Sequence, residues 1–214
     1  MTVMLNNAAP FPPPAPARCR GRPREFNLDD ALDKAIAVFC ERGYHATSIA
    51  DLAAAMELAS GSIYKAFKDK RAVFMAALDR ARAVRHGLVQ ETVQGTGSGR
   101  EKIRALLLLY AESSHGVEGQ RGCMIVGSAV ELATFDTDIA AQVRQAVRRN
   151  ESVLEKLLVL GQADGSVPAT VQRAATARML LCLIQGMCIV GKTGPSRADM
   201  TALVDVAMKT LECA

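Results

Sequence analysis

From residue 27 onward, apolar residues recur at three- and four-residue steps. Leu28, Leu32, Ala35, Ile36 and Phe39 make one face of a helix. Asn27 can cap it, with Asp30 at its third position, and Gly43 supplies the stop. A second, short helix is predicted from Thr47 or Ser48 through Ile49, Leu52 and Ala53 to about Met56. A break at residues 57–59 precedes a third short helix over about Ser60–Phe67. Asp69 caps a long fourth, with Val73, Phe74, Ala77, Leu78, Ala81 and Leu88 on one side. The glycines at 95, 97 and 99 read as a flexible linker. Beyond it the same period predicts five more helices: Arg100–Ser114, Gly122–Thr134, Asp138–Gln162, Thr170–Val190 and Arg197–Leu211. No segment alternates with the period of a strand. The fold class is therefore all-α, with about nine helices.

Composition narrows this picture. Residues 1–17 hold Pro10, Pro12, Pro13, Pro14 and Pro16, which exclude a helix and leave little to bury, so a disordered tail is expected. Arg18–Arg24 follows as a compact basic arm. The net charge of +4 is mild, so any nucleic-acid contact must come from a local basic patch. No apolar run reaches the roughly 18 residues that span a bilayer. The longest, Met179–Val190, is interrupted by Gln185 and Gly186. No basic-then-apolar leader is seen, so a cytoplasmic protein without a membrane partner is expected.

Two short helices joined by a tight break, held against a capped helix, make a helix-turn-helix. Ile49, Leu52, Leu58 and Ile63 fill its small core, and Ala53 lets the second helix cross closely. The third helix then exposes Ser60, Gly61, Ser62, Tyr64 and Lys65. Small hydroxyls and a glycine at its N-terminal end allow close approach to bases and phosphates in a major groove. Tyr64 and Lys65 can reach phosphates. Lys70 combines a positive charge with the free N–H groups at the start of the fourth helix.

The runs Thr47-Ser-Ile-Ala-Asp-Leu-Ala-Ala-Ala-Met56 and Gly61-Ser-Ile-Tyr-Lys-Ala-Phe-Lys-Asp-Lys70 resemble the TetR/AcrR family of transcriptional regulators. The likeness is close over about residues 22–77 and extends further only in helix number and length. It departs at Glu57, where the family carries Gly, and at Ala59, where it carries a Ser or Thr cap that Ser60 can replace one residue later. The resemblance implies a DNA-contacting set of Arg20, Arg22, Arg24, Thr47, Ser60, Gly61, Ser62, Tyr64, Lys65 and Lys70. Within it, Arg20-Gly-Arg-Pro-Arg24 resembles both the arms of TetR-like proteins and an AT-hook core. It is extended by Pro23 and suited to the narrow minor groove of A·T-rich DNA.

Other motifs carry less. Gly186-Met-Cys-Ile-Val-Gly-Lys-Thr193 matches a phosphate-binding loop letter for letter. It continues an apolar helical run, has no strand before it, and is followed by Gly194-Pro195. The Gly95–Gly99 run likewise lacks a strand. His45, His86 and His115 are scattered, and the six cysteines form no C-x-x-C pair, so neither a metal nor a cofactor is expected. No nucleophile–base pair stands out, and no enzyme is expected.

The expected organisation is a tail and arm (1–24), a helix-turn-helix domain (25–70), and a ligand-binding and dimerisation domain (71–214). The resemblance implies a homodimer on a palindromic double-stranded DNA operator, joined through Thr170–Val190 and Arg197–Leu211. It also implies a repressor released by a small-molecule effector. A mostly apolar effector pocket is expected among the helices beyond residue 100, lined by Tyr110, Met124 and Met179. Cys123, in the first turn of a helix beside Arg121, is a candidate redox- or electrophile-sensing thiol, and a packing role is the alternative. An architectural A·T-binding protein without a ligand is the other reading.

Overall fold

The computed structural model describes residues 27–95 and 97–212. The Pro-rich tail and the arm with Arg20, Arg22 and Arg24 lie outside the described residues. Within them the chain is all-α, and each of the nine expected helices is present.

Helix α1 (Leu28–Arg42) is capped by Asn27, whose Oδ1 accepts from the N–H groups of Asp29 (3.0 Å) and Asp30 (3.5 Å). Gly43, at φ 77°, ends it. Helix α2 (Ile49–Met56) opens on a reciprocal capping box between Ser48 and Asp51. Helix α3 (Ser60–Ala66) begins after Ala59 with no side-chain cap, so the expected capping by Ser60 does not occur: Ser60 is already helical. Asp69 caps α4 (Lys70–Gln94) through the N–H of Ala72 at 2.8 Å.

Then come α5 (Gly99–Glu112), α6 (Gly116–Arg121), α7 (Met124–Glu131), α8 (Thr137–Ala163), α9 (Arg173–Val190) and α10 (Arg197–Lys209). Helix α6 adds to the expected set. It occupies the glycine-containing break after α5 and is too short to show a period. A 3-10 turn at Gly191–Thr193 continues α9, so the segment resembling a phosphate loop is a helix end.

Two apolar cores result. In the first, Ala31, Leu32, Ala35 and Phe39 of α1 meet Leu52 and Met56 of α2, Ile63 of α3 and Val73, Phe74, Ala77 and Leu78 of α4. This core does not end with α4: Met124, Leu132, Ile139 and Val143, around α7 and the start of α8, belong to it. The second gathers Ile103, Leu106, Leu107, Leu154, Leu158, Leu180, Ile184, Met187, Met200 and Val204 of α5, α8, α9 and α10. Helix α9, with its 3-10 turn, is long and apolar enough to cross a membrane by composition. Here one face of it, Ala177, Leu180, Leu181, Ile184 and Met187, forms the centre of that second core.

The expected linker at residues 95–99 is a correction. Ser98 caps α5 in a box with Glu101, and Gly99 is buried against α8. A Cβ on Gly99 would lie 2.2 Å from the backbone nitrogen of Gly161. The glycine serves close helix packing rather than flexibility.

Candidate DNA interface and regulatory cleft

Helix α3 is fixed by its single buried side chain, Ile63. Around it Ser60, Gly61, Tyr64 and Lys65 are exposed, and Ser62 is half-buried. A Cβ on Gly61 would meet nothing within 4 Å, so the protein's own packing does not require glycine there. Without a side-chain cap, the first N–H groups of α3 are left for an outside acceptor.

Thr47 and Lys70, expected beside these residues, are placed differently. Thr47 is buried and its hydroxyl donates to the carbonyl of Gly43 at 2.6 Å. The Lys70 ammonium donates to the carbonyls of Tyr44 and Thr47, both at 2.9 Å, and lies 4.3 Å from the centre of the Tyr44 ring. Both side chains tie down the α1–α2 corner on which α3 rests. The Tyr44 ring, in turn, packs edge-on against Phe74 at 5.1 Å.

That corner is also gripped from α7 and the start of α8. The Glu131 carboxylate, at the end of α7, accepts from the backbone N–H groups of Tyr44 (3.0 Å) and His45 (2.9 Å). Arg71 of α4 forks onto Asp136 at 2.7 and 2.9 Å and also reaches Asp138, just ahead of and within α8. Held by this guanidinium and by two backbone N–H groups, the Asp136 carboxyl is depressed to about 2. Neither Glu131 nor Asp136 is legible in the sequence, because their partners lie more than 60 residues away.

A narrow cleft opens where α4, α5, α7, α8 and α9 meet. Arg82, Arg85 and His86 line it from α4, Tyr110 from α5, Arg149 and Asn150 from α8, and Gln185 and Cys188 from α9. Tyr110 is therefore where it was expected. Its hydroxyl accepts from Asn150 Nδ2 at 3.0 Å, the Arg85 guanidinium lies 5.1 Å from its ring centre, and burial raises it to about 12. Met124 is buried in the first core and faces two neighbouring clefts on the α1 side. Met179 is 41% exposed on α9 and lies outside the cleft. Arg82, Arg85 and Arg149 add positive charge to a lining whose exposed surface is more apolar than polar, and Leu106 and Leu107 of α5 pack into the second core instead.

Cys123 lines this cleft and both of its neighbours. It is the N-cap of α7 rather than a first-turn residue. The neighbouring Cys188 thiol, the N-terminal end of α7 and the charge of Arg85 all favour its thiolate. Together these outweigh burial and lower the thiol below its ordinary value. Arg121, expected to supply that charge, is instead paired with Glu41 and Glu118 at 2.9 Å each.

Known proteins share this arrangement. Residues 31–77 match the profile of bacterial regulatory proteins of the tetR family, and residues 99–204 match that of the tetracyclin repressor-like C-terminal domain. The HTH-type transcriptional repressor ComR of Escherichia coli (strain K12) is 30% identical over 197 residues, covering 91% of each chain. The chain belongs to the TetR family. Another relative is the HTH-type transcriptional regulator YezE of Bacillus subtilis (strain 168). It is 28% identical, over 90% of this chain and 100% of its own. Among solved structures, a cysteine mutant of the TetR family transcriptional regulator CifR superposes with a TM-score of 0.78. The match has 27% identity over 88% of this chain and 98% of that one, and that protein is complexed with 26-base-pair double-strand operator DNA. As a TetR-family member the chain is a DNA-binding transcriptional regulator.

Proposed function

We propose that this TetR-family chain is a cytoplasmic repressor that binds a palindromic double-stranded DNA operator as a homodimer and is released by a small-molecule effector. The observation that carries the DNA reading is the outward face of α3. It joins Ser60, Gly61, Tyr64 and Lys65 to unsatisfied N–H groups, around a glycine the fold itself does not need. Lys65 and the Tyr64 hydroxyl serve as phosphate contacts, and Ser60, Gly61 and Ser62 as the close approach to base edges. Lys70 contributes its backbone N–H at the start of α4, since its ammonium is already bonded. Arg20, Arg22 and Arg24 would follow the adjacent minor groove.

The homodimer is supported by two unpartnered apolar faces. Helix α9 presents Met179, Cys182, Gly186 and Ile189, and α10 presents Leu203 and Val206. The effector reading is supported by the cleft around Tyr110, which joins α4, the connecting helix, to α5, α7, α8 and α9. A thiol trigger at Cys123 is a second reading of the same cleft, favoured by the Cys188 thiol that lines it as well.

The test is the salt dependence of binding to a duplex enriched by the reduced protein from a random-sequence pool. Lys65→Ala should lower the slope of log affinity against log salt by about 1, the loss of one phosphate contact. Lys70→Ala should leave the slope unchanged and weaken the domain by about 1–2 kcal/mol, since it removes two charged hydrogen bonds. If the pool yields no preferred duplex, the DNA reading fails. If only Lys70→Ala moves the slope, the assignment of contacts is wrong.

A further inference from the structure

Cys123 caps α7 and Cys188 sits in α9, 65 residues apart in the chain, and the two thiols are neighbours on the walls of the same clefts. Both line the Tyr110 cleft and the neighbouring one against α1. Their surroundings are unequal. Cys123 sits at the N-terminal end of α7 and shares the cleft with Arg85, both of which favour its thiolate. Cys188 is held well above the ordinary thiol range, by its bond to the Cys123 sulfur, by burial and by the negative charge of that sulfur. One sulfur is thus poised to attack and the other to stay protonated until the first loses its charge.

We infer that Cys123 and Cys188 form a peroxide-responsive thiol pair that closes to a disulfide between α7 and α9. The inference rests on the repressor reading above and names its trigger. In the first step the Cys123 thiolate attacks one oxygen of a hydroperoxide. The S–O bond forms, the O–O bond breaks, and the departing alkoxide or hydroxide takes a proton, leaving a sulfenic acid on Cys123. That product is neutral, which removes the charge that held Cys188 protonated. Cys188 then attacks the Cys123 sulfur: the S–S bond forms, the S–O bond breaks, and hydroxide leaves with the Cys188 proton as water. In sum, two thiols and one hydroperoxide give one disulfide, one alcohol (water, for hydrogen peroxide) and one water. The sulfurs lose two electrons and the peroxide gains them.

The position of the pair connects it to α3. Helix α7 carries Cys123 at its start and Glu131 at its end, and Glu131 holds the backbone of Tyr44 and His45 under the helix-turn-helix. On the other side, Cys188 is one turn from Lys192. Lys192 donates to the carbonyl of Cys40 in α1 at 3.0 Å and of Arg121 at 3.2 Å. Drawing the sulfurs to bonding distance, about 2.05 Å, therefore shifts the two elements that hold α1 and the α1–α2 corner.

The experiment uses the full reduced chain, treated with a few-fold molar excess of hydrogen peroxide and reversed with dithiothreitol. Intact mass should fall by two hydrogens, and peptide mapping should join the Cys123 peptide to the Cys188 peptide. Affinity for the enriched duplex should fall by roughly tenfold or more and return on reduction. Cys188→Ser should accumulate a sulfenic acid that dimedone traps. Cys123→Ser should do neither, and should keep its DNA under peroxide. Cys40→Ser and Cys182→Ser should respond as the wild type does, and thermal melting of each variant reports its folding. If the reduced chain binds the duplex and peroxide treatment yields no Cys123–Cys188 crosslink, the inference is overturned. So does a crosslink that leaves affinity unchanged. If the reduced chain binds no duplex, the repressor reading fails, and mass and mapping still decide the thiol chemistry separately.

Discussion

At the α2–α3 turn, Glu57 sits at φ 57° and ψ 37°, the one non-glycine residue with positive φ among those described. A side chain there costs roughly 1–2 kcal/mol. Its ion pair to Lys34, at 2.8 Å with the carboxylate 79% exposed, returns little of that. Glu57→Gly should therefore stabilise the protein by about 0.5 kcal/mol, after the unfolded-state entropy of glycine is set against the relieved strain. The thermal midpoint should rise by about 1–2 °C, and a fall would show that the turn tolerates the side chain without strain. The departure from glycine at this position was visible against the family pattern the sequence resembles, and the left-handed backbone at Glu57 supplies its physical reason. The inward turn of Thr47 and of the Lys70 ammonium was not visible. A hydroxyl or ammonium at the edge of a motif reads the same whether it faces DNA or the carbonyls of its own chain, and only the position of Tyr44 decides it.

The helices themselves were legible because burying one face imposes a 3.6-residue period wherever a helix runs for more than two turns. Legibility failed where the period is too short or where glycine carries two meanings. Helix α6, of six residues, gives no period, and Gly99 looks like linker until Gly161 is brought against it by the fold. This yields a paired prediction on the α5–α8 crossing. In Gly99→Ala the new Cβ would sit 2.2 Å from Gly161 N, 2.4 Å from Gly161 Cα and 2.6 Å from Leu157 O. All three are backbone atoms, so the helices must separate, at a cost of about 2–3 kcal/mol. Gly95→Ala, four residues earlier, meets nothing within 4 Å and should fall within about 0.5 kcal/mol of wild type. Chemical denaturation distinguishes the two, and equal effects would mean that α5 and α8 do not cross at these glycines. The cleft shows the same limit of sequence reading. Tyr110 and Cys123 stood out individually, but Arg85 and Cys188 gained their meaning only from helices that pack 25 or more residues away.

At the scale of the molecule, the two cores meet through α4 and α8, and the homodimer proposed above would cover apolar positions that stay exposed. On α9 the uncovered positions 179, 182, 186 and 189 step by three, four and three residues, which is the spacing of a helix seam. Met179 is 41% and Ile189 54% exposed, with Cys182 and the small Gly186 between them. On α10, Leu203 is 39% and Val206 61% exposed. Two such pairs of helices related by a twofold axis would make a four-helix bundle, with close approach at Gly186. Val206→Lys places one ammonium in that seam from each protomer, two per dimer. Burying an unpaired charge costs several kcal/mol, so a dimer held at micromolar concentration should dissociate. Sedimentation should show the wild type at twice the protomer mass and Val206→Lys at the protomer mass. Since the position is exposed within one protomer, helix content should be unchanged. Affinity for a palindromic duplex should fall far more than affinity for a single half-site, because only a dimer can join two half-site contacts in one event. A variant that stays dimeric and binds the palindrome as tightly as the wild type would move the interface to another face of the molecule.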